Sequence, residues 1–327
     1  MPVAATNGDQ YPTPESRSGE KSVVYFSRDI SPEGLQKMYE KVNEDITGKV
    51  AVKLHTGEPH GPNIIPSSWI KQLMANDLPD ATIVETNTLY AGGRYTTEEH
   101  RETLKVNGWD FAPVDIMDEE CTTNLPVKNG KWFFAMSVGS HETNYDSLVV
   151  LTHFKGHPQG GFGGSNKNLG IGCADGRFGK AMIHTIPGTD WGTGTEELME
   201  KITESCKATV DYFGEHTCFV NVMRNMSVDC DCLGVNAAPV VTPNVGILAS
   251  RDICAIDTAC VDLVQAMPEE YKHDLVERMT SRHGFRQLSY MHELGMGNCR
   301  YKLLDADNGN QEISQAEAVK DIKPFEG

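Results

Sequence analysis

Four adjacent residues, Asp229-Cys230-Asp231-Cys232, all carry side chains that can ligate a metal. Zinc and iron–sulfur sites more often use two cysteines separated by two residues, so this spacing is a weaker signal. In an extended chain the two cysteines share one face and the two aspartates the other. Buried without a cation, such a group needs raised pKa values. We therefore predict a metal site with Asp229, Cys230 and Cys232 as ligands, and an exposed acidic loop with two free thiols is the alternative.

A second concentration of reactive side chains surrounds the glycine-rich stretch 160–172. Glycines let the backbone approach a ligand and expose amide N–H groups to an anion. Position 166 is Asn where G-x-G-x-x-G needs its last glycine, which argues against dinucleotides, and no Walker loop is present. His157 is predicted to act as a general base. The ligand-binding residues predicted here are Lys155, Gly163, Gly164 and Asn168. A structural turn with surface histidines is the disfavoured alternative.

Two consecutive predicted strands end in polar side chains. Lys53 and His55 close the first of them, and Asn87 follows the second. In open α/β sheets ligands bind at the carboxyl ends of strands. We therefore predict Lys53 as an anion anchor, His55 as an acid partner of His157, and Asn87 as a ligand-binding residue. The alternatives are a lysine in a salt bridge, a histidine bonded to a loop, and an Asn that caps a turn.

The elements that must position these residues alternate between β-rich runs and amphipathic helices. Strands are predicted at 23–26, 50–54, 81–84, 148–151, 218–223, 245–248 and 301–304. Helix starts are predicted after Ser31, near Ser67 and after Thr96, where Glu99 completes a capping box. This alternation indicates an α/β fold with mainly parallel sheets flanked by helices.

The chain length of 327 residues favours two domains, at about 150 residues each, with the ligand cleft between them. We expect α/β domains at 22–140 and 141–305, the second with C-terminal helices. Residues 1–21 are expected to form a flexible tail. Residues 306–327 are expected to form a polar tail, with docking onto the fold as the alternative.

Composition excludes several classes of partner. The formal net charge of −17 repels phosphate backbones and anionic membrane surfaces, so neither nucleic acid nor membrane is expected as a partner. No apolar run approaches the ~18 residues of a membrane span, and the first twenty residues lack the pattern of a secretory signal. The nine cysteines are therefore expected to stay reduced, in the cytoplasm. The sequence leaves the oligomeric state open, a homo-oligomer included.

Five separated blocks resemble, in order, the family called domain of unknown function 362: residues 53–59, 85–90, 151–173, 229–232 and 246–257. The resemblance spans roughly residues 22 to 305 and implies an iron–sulfur centre, because many members carry a ferredoxin-like cysteine insert. Here the corresponding region, 185–215, contains one cysteine, Cys206. A cluster held by Cys173, Cys230 and Cys232 is conceivable, although their spacing does not demand it.

A shorter stretch, from His157 through the glycines to His184, is similar to a segment of the nickel-pincer-nucleotide racemases that act on 2-hydroxy acids. This resemblance implies three roles. Lys167 corresponds to the lysine that tethers the cofactor, His184 to a nickel ligand, and His157 to an acid/base. The match covers about thirty residues of a glycine-rich segment.

The prediction that follows is a metal- or metallocofactor-dependent enzyme acting on a small carboxylate-type anion, of isomerase or oxidoreductase type. His157, His55 and Lys167 are its predicted catalytic residues, and His184 joins Asp229, Cys230 and Cys232 as a metal ligand. Iron–sulfur, zinc and nickel are not distinguished. An iron–sulfur electron-transfer protein and a noncatalytic small-molecule binding protein are the two alternatives.

Overall fold

The computed structural model describes residue 17 and residues 19–326. The strands are β1 (Ser22–Ser27), β2 (Val50–Lys53), β3 (Thr82–Glu85), β4 (Val114–Ile116), β5 (Thr122–Pro126), β6 (Ala135–Gly139), β7 (Ser147–His153), β8 (Lys155–His157), β9 (Gly161–Gly163), β10 (Thr217–Met223), β11 (Gly246–Ser250), β12 (Tyr301–Asp305) and β13 (Gln311–Glu312). The predicted strands all appear among these, with ends shifted by a residue or two.

The helices are α1 (Pro32–Glu40), α2 (Ser67–Asp77), α3 (Thr97–Val106), α4 (Ser165–Gly172), α5 (Gly179–His184), α6 (Glu196–Phe213), α7 (Ile253–Ala266), α8 (Glu269–Ser281), α9 (Arg286–Glu293) and α10 (Gln315–Val319). The predicted caps are confirmed: the Ser31 hydroxyl accepts the Gly34 N–H, and both bonds of the capping box between Thr96 and Glu99 are present. Within the described part of the chain, none of the helices has the length and apolar character needed to cross a bilayer.

Nine of the strands form one sheet in the order β13-β12-β1-β11-β10-β7-β2-β3-β4. The strands from β10 to β4 are parallel neighbours, and β1 runs parallel to β12. β11 lies antiparallel between β1 and β10. Two hairpins, β5-β6 and β8-β9, stand outside the main sheet. The α/β class with a mainly parallel sheet flanked by helices is therefore confirmed.

The division of the chain expected near residue 140 falls between β6 and β7. Strands from its two sides nevertheless share the nine-stranded sheet, because β2 pairs with β7 from Val50–Ser147 to Lys53–Val150. Which strands pair depends on contacts between segments that lie far apart in the sequence. The length of the chain does not indicate these contacts. The sheet edge, rather than a gap between two sheets, is thus the place where polar strand ends meet.

Packing on the two faces of the sheet follows the alternation of side chains along β7. Leu148 and Val150 belong to a core beneath α4, α6 and α7, whereas Val149 and Leu151 belong to a core beneath α1, α2 and α3. All seven residues of β7 are buried, as expected for a central parallel strand covered on both faces. The end of β7 is therefore held rigidly.

The polar segment after Asp305 docks onto the fold, the alternative left open by the sequence. β13 pairs with β12, and α10 buries Ala318 and Val319. At the other end, residues 1–16 and 18 of the expected tail lie outside the described residues. Arg17 is described, and it forms an ion pair with Asp262 at 2.6 Å.

The buried carboxyl group of Glu142 gives a prediction about stability. Neither of its oxygens has a hydrogen-bond partner among the described residues, and burial raises its pKa from 4.5 to about 8. Above pH 4.5 the unfolded chain therefore loses a proton that the folded chain retains, so stability falls as the pH rises toward 8. We expect Glu142→Gln to raise the free energy of unfolding near pH 8 by roughly 2–4 kcal/mol, with little effect near pH 4.

Urea unfolding at the two pH values measures this difference. The exposed Glu215 provides the matched control, because Glu215→Gln removes a carboxyl group that is not buried. Equal effects of Glu142→Gln at both pH values would contradict the prediction.

Candidate functional site

A cavity of about 450 Å³ opens at the carboxyl ends of β2, β3 and β7. This is the edge at which open α/β sheets bind ligands. Most of the predicted site residues line it: Lys53, His55, Lys155, His157, Gly163, Gly164, Lys167, Asn168, His184, Cys230 and Cys232. The structure thus brings together residues that lie far apart in the sequence.

The hairpin β8-β9 places Lys155 and His157 in the cavity wall. These two residues lie on the same face of β8, separated by Gly156. The Gly156 N–H donates to the Ser227 carbonyl at 2.8 Å, and a Cβ atom at this glycine would stand 2.2 Å from the Val228 oxygen. Only glycine allows this approach, which brings β8 beside the chain that leads to the two cysteines.

Cys230, Cys232 and His157 form a compact cluster, with one ligand atom from each residue within 4.8 Å of the others. Cys230 is buried and Cys232 half-buried. The Cys232 sulfur lies 3.9 Å from Nε2 of His157. Thiolate sulfur is the protein ligand that soft and borderline metals prefer, so the two sulfur atoms suit zinc, nickel or Cu(I).

Two backbone amides fix the tautomer of His157. Nδ1 of the ring accepts the N–H groups of Gln159 and Gly160, at 3.1 and 2.9 Å. Burial and the nearby Lys167 lower the pKa of this ring to about 4, so it is neutral near pH 7. Its single proton is therefore on Nε2, facing the sulfur atoms. In this state His157 offers the cavity an N–H donor rather than a free lone pair.

The opposite tautomer is fixed at His184. Its Nδ1 lies 3.1 Å from the carbonyl oxygen of Trp191, which can only accept, so Nδ1 carries the proton. Burial lowers the pKa of the ring to about 4, so the neutral form leaves a lone pair on Nε2. A histidine held through Nδ1–H by a carbonyl is the usual arrangement of a metal ligand. His184 lines the cavity without joining the cluster of His157, Cys230 and Cys232.

The two cysteines differ in their ionisation. The hydrogen bond with Cys232, assisted by the charge of Lys155, holds the pKa of Cys230 well below its ordinary value. The same hydrogen bond, with burial, raises the pKa of Cys232 well above its ordinary value. The backbone N–H of Cys232 also lies 3.4 Å from the Cys230 sulfur. Cys230 is therefore the more acidic thiol of the pair.

Lysines give the cavity a positive character, and most of them are paired. Lys53 binds Glu85 at 2.9 Å, and Lys155 binds Asp231 at 3.0 Å. Lys167 is half-buried and, among the residues described, has no hydrogen-bond or ion-pair partner. Burial and the charge of Lys155 lower its pKa. Its amine therefore has N–H donors available for an anionic ligand.

Two further cations in the cavity wall, Arg94 and Lys180, were not predicted. Arg94 bonds Glu58 at 2.8 Å and lies 3.7 Å from Glu85. Lys180 donates to Thr86 and to two backbone carbonyls, and burial lowers its pKa to about 8. The sequence signal available for Arg94 and Lys180 was their position beyond polar strand ends, in a loop or a short helix. Neither residue belongs to a recognisable motif.

Two predicted site residues do not line the cavity. The Asn87 side chain bonds Thr97 and His100 instead. Asp229 binds Arg278 of α8 at 2.8 Å and accepts the Ala238 N–H. The chain leaves the extended conformation at Asp231, where a 3-10 helix begins. Cys230 and Cys232 therefore lie on the same side of the chain, as predicted, whereas Asp229 and Asp231 bind different partners.

Replacing Glu85 tests how strongly its carboxylate stabilises the cations that line the cavity. Burial alone would raise its pKa, yet Lys53, His55 and Arg94 hold the pKa well below its ordinary value. Glu85→Gln leaves the buried cations Lys53 and Arg94 without this carboxylate. We therefore expect a loss of about 3–5 kcal/mol in the free energy of unfolding. Glu119, which pairs with Arg101 at the surface, is the control, and Glu119→Gln should cost under about 1 kcal/mol. Equal costs in denaturant unfolding would refute this account.

Comparison with known proteins gives one family and several distant structures, two of which are described here. The family described as "Domain of unknown function (DUF362)" matches residues 50–262, which confirms the resemblance found in the sequence. No curated protein matches the chain. The lactate racemase apoprotein from Thermoanaerobacterium thermosaccharolyticum is similar at 14% identity and a TM-score of 0.41, over 75% of this chain and 57% of that one. A crystal structure of a Thermotoga maritima protein is similar at 12% identity and a TM-score of 0.33, over 59% and 50%.

Proposed function

For this chain, which belongs to the DUF362 family, we propose a metal-dependent enzyme that acts on a small carboxylate-type anion in the cavity beside β2, β3 and β7. One observation carries the proposal: Cys230, Cys232 and Lys167, whose amine has no partner in the part of the chain that the structure describes, line the same cavity. A soft cation and an organic anion would therefore meet there. An isomerase or racemase is the proposed reaction class, with an oxidoreductase as the alternative.

The sulfur atoms of Cys230 and Cys232 are the proposed metal ligands. Iron–sulfur clusters are held by four cysteine thiolates, and Cys173, the third cysteine considered, lies in the hydrophobic core instead. The residues therefore fit a single ion better than a cluster, and zinc or nickel is proposed. When bound, the ion would supply Lewis-acid chemistry to a substrate oxygen.

Lys167 is the proposed anchor of the substrate carboxylate. Its neighbours Lys53 and Lys155 are already ion-paired with Glu85 and Asp231, and the Lys180 amine already donates to Thr86 and two backbone carbonyls. Lys167 is therefore the proposed partner of an added negative charge. Placing the carboxylate there excludes cationic and neutral substrates of the same size. The proposal therefore restricts substrates to small anions.

Complementary roles in proton transfer are assigned to the two histidines of opposite tautomer. Nε2 of His184 has the lone pair needed to accept a proton from carbon, and the neutral Nε2–H of His157 can donate a hydrogen bond to the substrate oxygen on which negative charge develops. This changes the roles first expected of two residues: His157 becomes a hydrogen-bond donor rather than a base, and His184 a base rather than a metal ligand. His55, 3.8 Å from Glu85, is left as a supporting residue.

Deuterium exchange tests the proposal without knowledge of the net reaction. Protein purified under anaerobic conditions is analysed for metals and incubated in deuterium oxide with a panel of small 2-hydroxycarboxylates. NMR should show deuterium at the carbon next to the carboxylate, and the exchange should be lost in His184→Gln. Stoichiometric metal with no exchange and no oxidation would favour a binding protein, and visible absorption typical of an iron–sulfur cluster would favour electron transfer.

The cytoplasm is the proposed setting of this activity. All nine cysteines are free thiols in the structure, and a reducing compartment preserves such a set. A small anion is the proposed partner.

A further inference from the structure

A second pair of cysteines, Cys254 and Cys299, lies outside the cavity. Their sulfur atoms are 3.3 Å apart, and both approach the carbonyl oxygen of Leu288, at 3.8 and 3.7 Å. Cys254 is the second residue of α7, and Cys299 lies in the loop before β12. Neither lines the cavity with Cys230 and Cys232. We propose that Cys254 and Cys299 are an oxidation site that closes to an intramolecular disulfide.

The environments of the two sulfur atoms assign them different roles. Cys254 is fully buried, whereas Cys299 is half-buried and lines a groove with Arg17, Lys21 and Arg300. Arg17 also donates to the backbone carbonyl of Cys299 at 3.2 Å. The accessible sulfur beside cations is the one an oxidant meets first. Cys299 is therefore the attacking group and Cys254 the resolving group.

Ionisation supports the same assignment. The hydrogen bond from the Cys254 thiol, with the charges of His292 and Arg17, lowers the pKa of Cys299 to about 7. The same hydrogen bond, with burial, raises the pKa of Cys254 well above its ordinary value. A substantial thiolate fraction at Cys299 near neutral pH favours nucleophilic attack there.

The reaction uses a hydroperoxide as its oxidant. The Cys299 thiolate attacks the O–O bond, which yields a sulfenic acid and, after protonation, an alcohol or water. The Cys254 thiol then attacks the sulfenic sulfur, forming the S–S bond and releasing the hydroxyl group as water. Two electrons pass from the two thiols to the peroxide. The sulfur atoms need to approach from 3.3 Å to a bond length of about 2.05 Å.

The chain between these cysteines contains α8 and α9, which hydrogen-bond to segments next to the cavity wall. Arg278 of α8 donates to Val228 and Asp229, and Gln287 of α9 donates to the carbonyls of Gly160 and Phe162. A disulfide would close this segment into a loop and restrict its unfolding. Oxidation is therefore expected to stabilise the helices behind the glycine-rich hairpin while the Cys230–Cys232 pair stays chemically separate.

Peptide mapping of the full chain tests this site. The chain is treated with hydrogen peroxide, alkylated and digested without reductant, both as it is and in a Cys230→Ser/Cys232→Ser background that removes the other close pair. We expect a peptide that joins residues 254 and 299, a loss of two hydrogen atoms in the intact mass, and a rise in melting temperature of roughly 5 °C that dithiothreitol reverses.

Two controls separate this site from general oxidation. Cys299→Ser should remove the linked peptide and the temperature shift, whereas Cys121→Ser, at an exposed cysteine, should leave both unchanged. Absence of the linked peptide in the unsubstituted chain, or a link from Cys299 to another cysteine, overturns the proposal. The first measurement needs no variant, so it does not depend on whether Cys299→Ser folds.

Discussion

Replacing Lys167 with methionine should weaken the binding of small carboxylates by on the order of 100-fold, because a partly buried charge that pairs with an anion contributes about 2–5 kcal/mol. The substitution keeps the length and apolar stem of the side chain but removes the amine. Lys53 and Lys155 cannot replace it, since Glu85 and Asp231 already neutralise them.

Oxalate is a suitable probe, and titration calorimetry measures its affinity for the unsubstituted chain and for Lys167→Met. Lys71 of α2 is exposed, so Lys71→Met removes the same charge from the molecule without touching the cavity. If both variants bind oxalate as the unsubstituted chain does, Lys167 is not the anion anchor.

Loss of bound metal is the second large effect that we expect. Cys230→Ser/Cys232→Ser removes both sulfur ligands, and changes to groups that merely support metal ligands already cost about 10–100-fold in affinity. The metal content of natively purified protein should therefore fall to background, while circular dichroism and the melting temperature report an intact fold.

His157→Gln provides the sharper comparison. Its Nδ1 is occupied by two amides, so we expect this variant to retain most of the metal while losing activity. Cys121→Ser is the neutral control. Unchanged metal in the double variant would remove the two cysteines from the site, and complete loss in His157→Gln would make His157 a ligand.

The positions of the elements were largely predictable, because local signals determine them. Ser31 and Thr96 cap their helices through bonds made within three residues, and β7 is an uninterrupted buried run. Convergence of Lys53 and the glycine-rich segment at one edge followed from the general rule for open parallel sheets.

Features that depend on long-range contacts were not predictable. Whether Asp229 or Asp231 turned inward depended on Arg278 and Lys155, which lie elsewhere in the sequence. The tautomers of the two histidines likewise depend on backbone groups, Gly160 N–H and Trp191 C=O, that no residue type reveals. The catalytic and ligand roles of the site residues remain predictions.

The pairing of β1 has a consequence for how the chain reaches this fold. β1 is among the first described segments to be synthesised, yet its two neighbours are β11 and β12, at residues 246–250 and 301–305. Such non-local pairing slows folding and leaves strand edges exposed in the meantime. While the ribosome is still adding α8 and α9, β1 has only one neighbour to pair with. The second neighbour of β1 is therefore made last, and a chain cut at residue 262, where the family match ends, would lack β12 and leave that side of β1 unpaired.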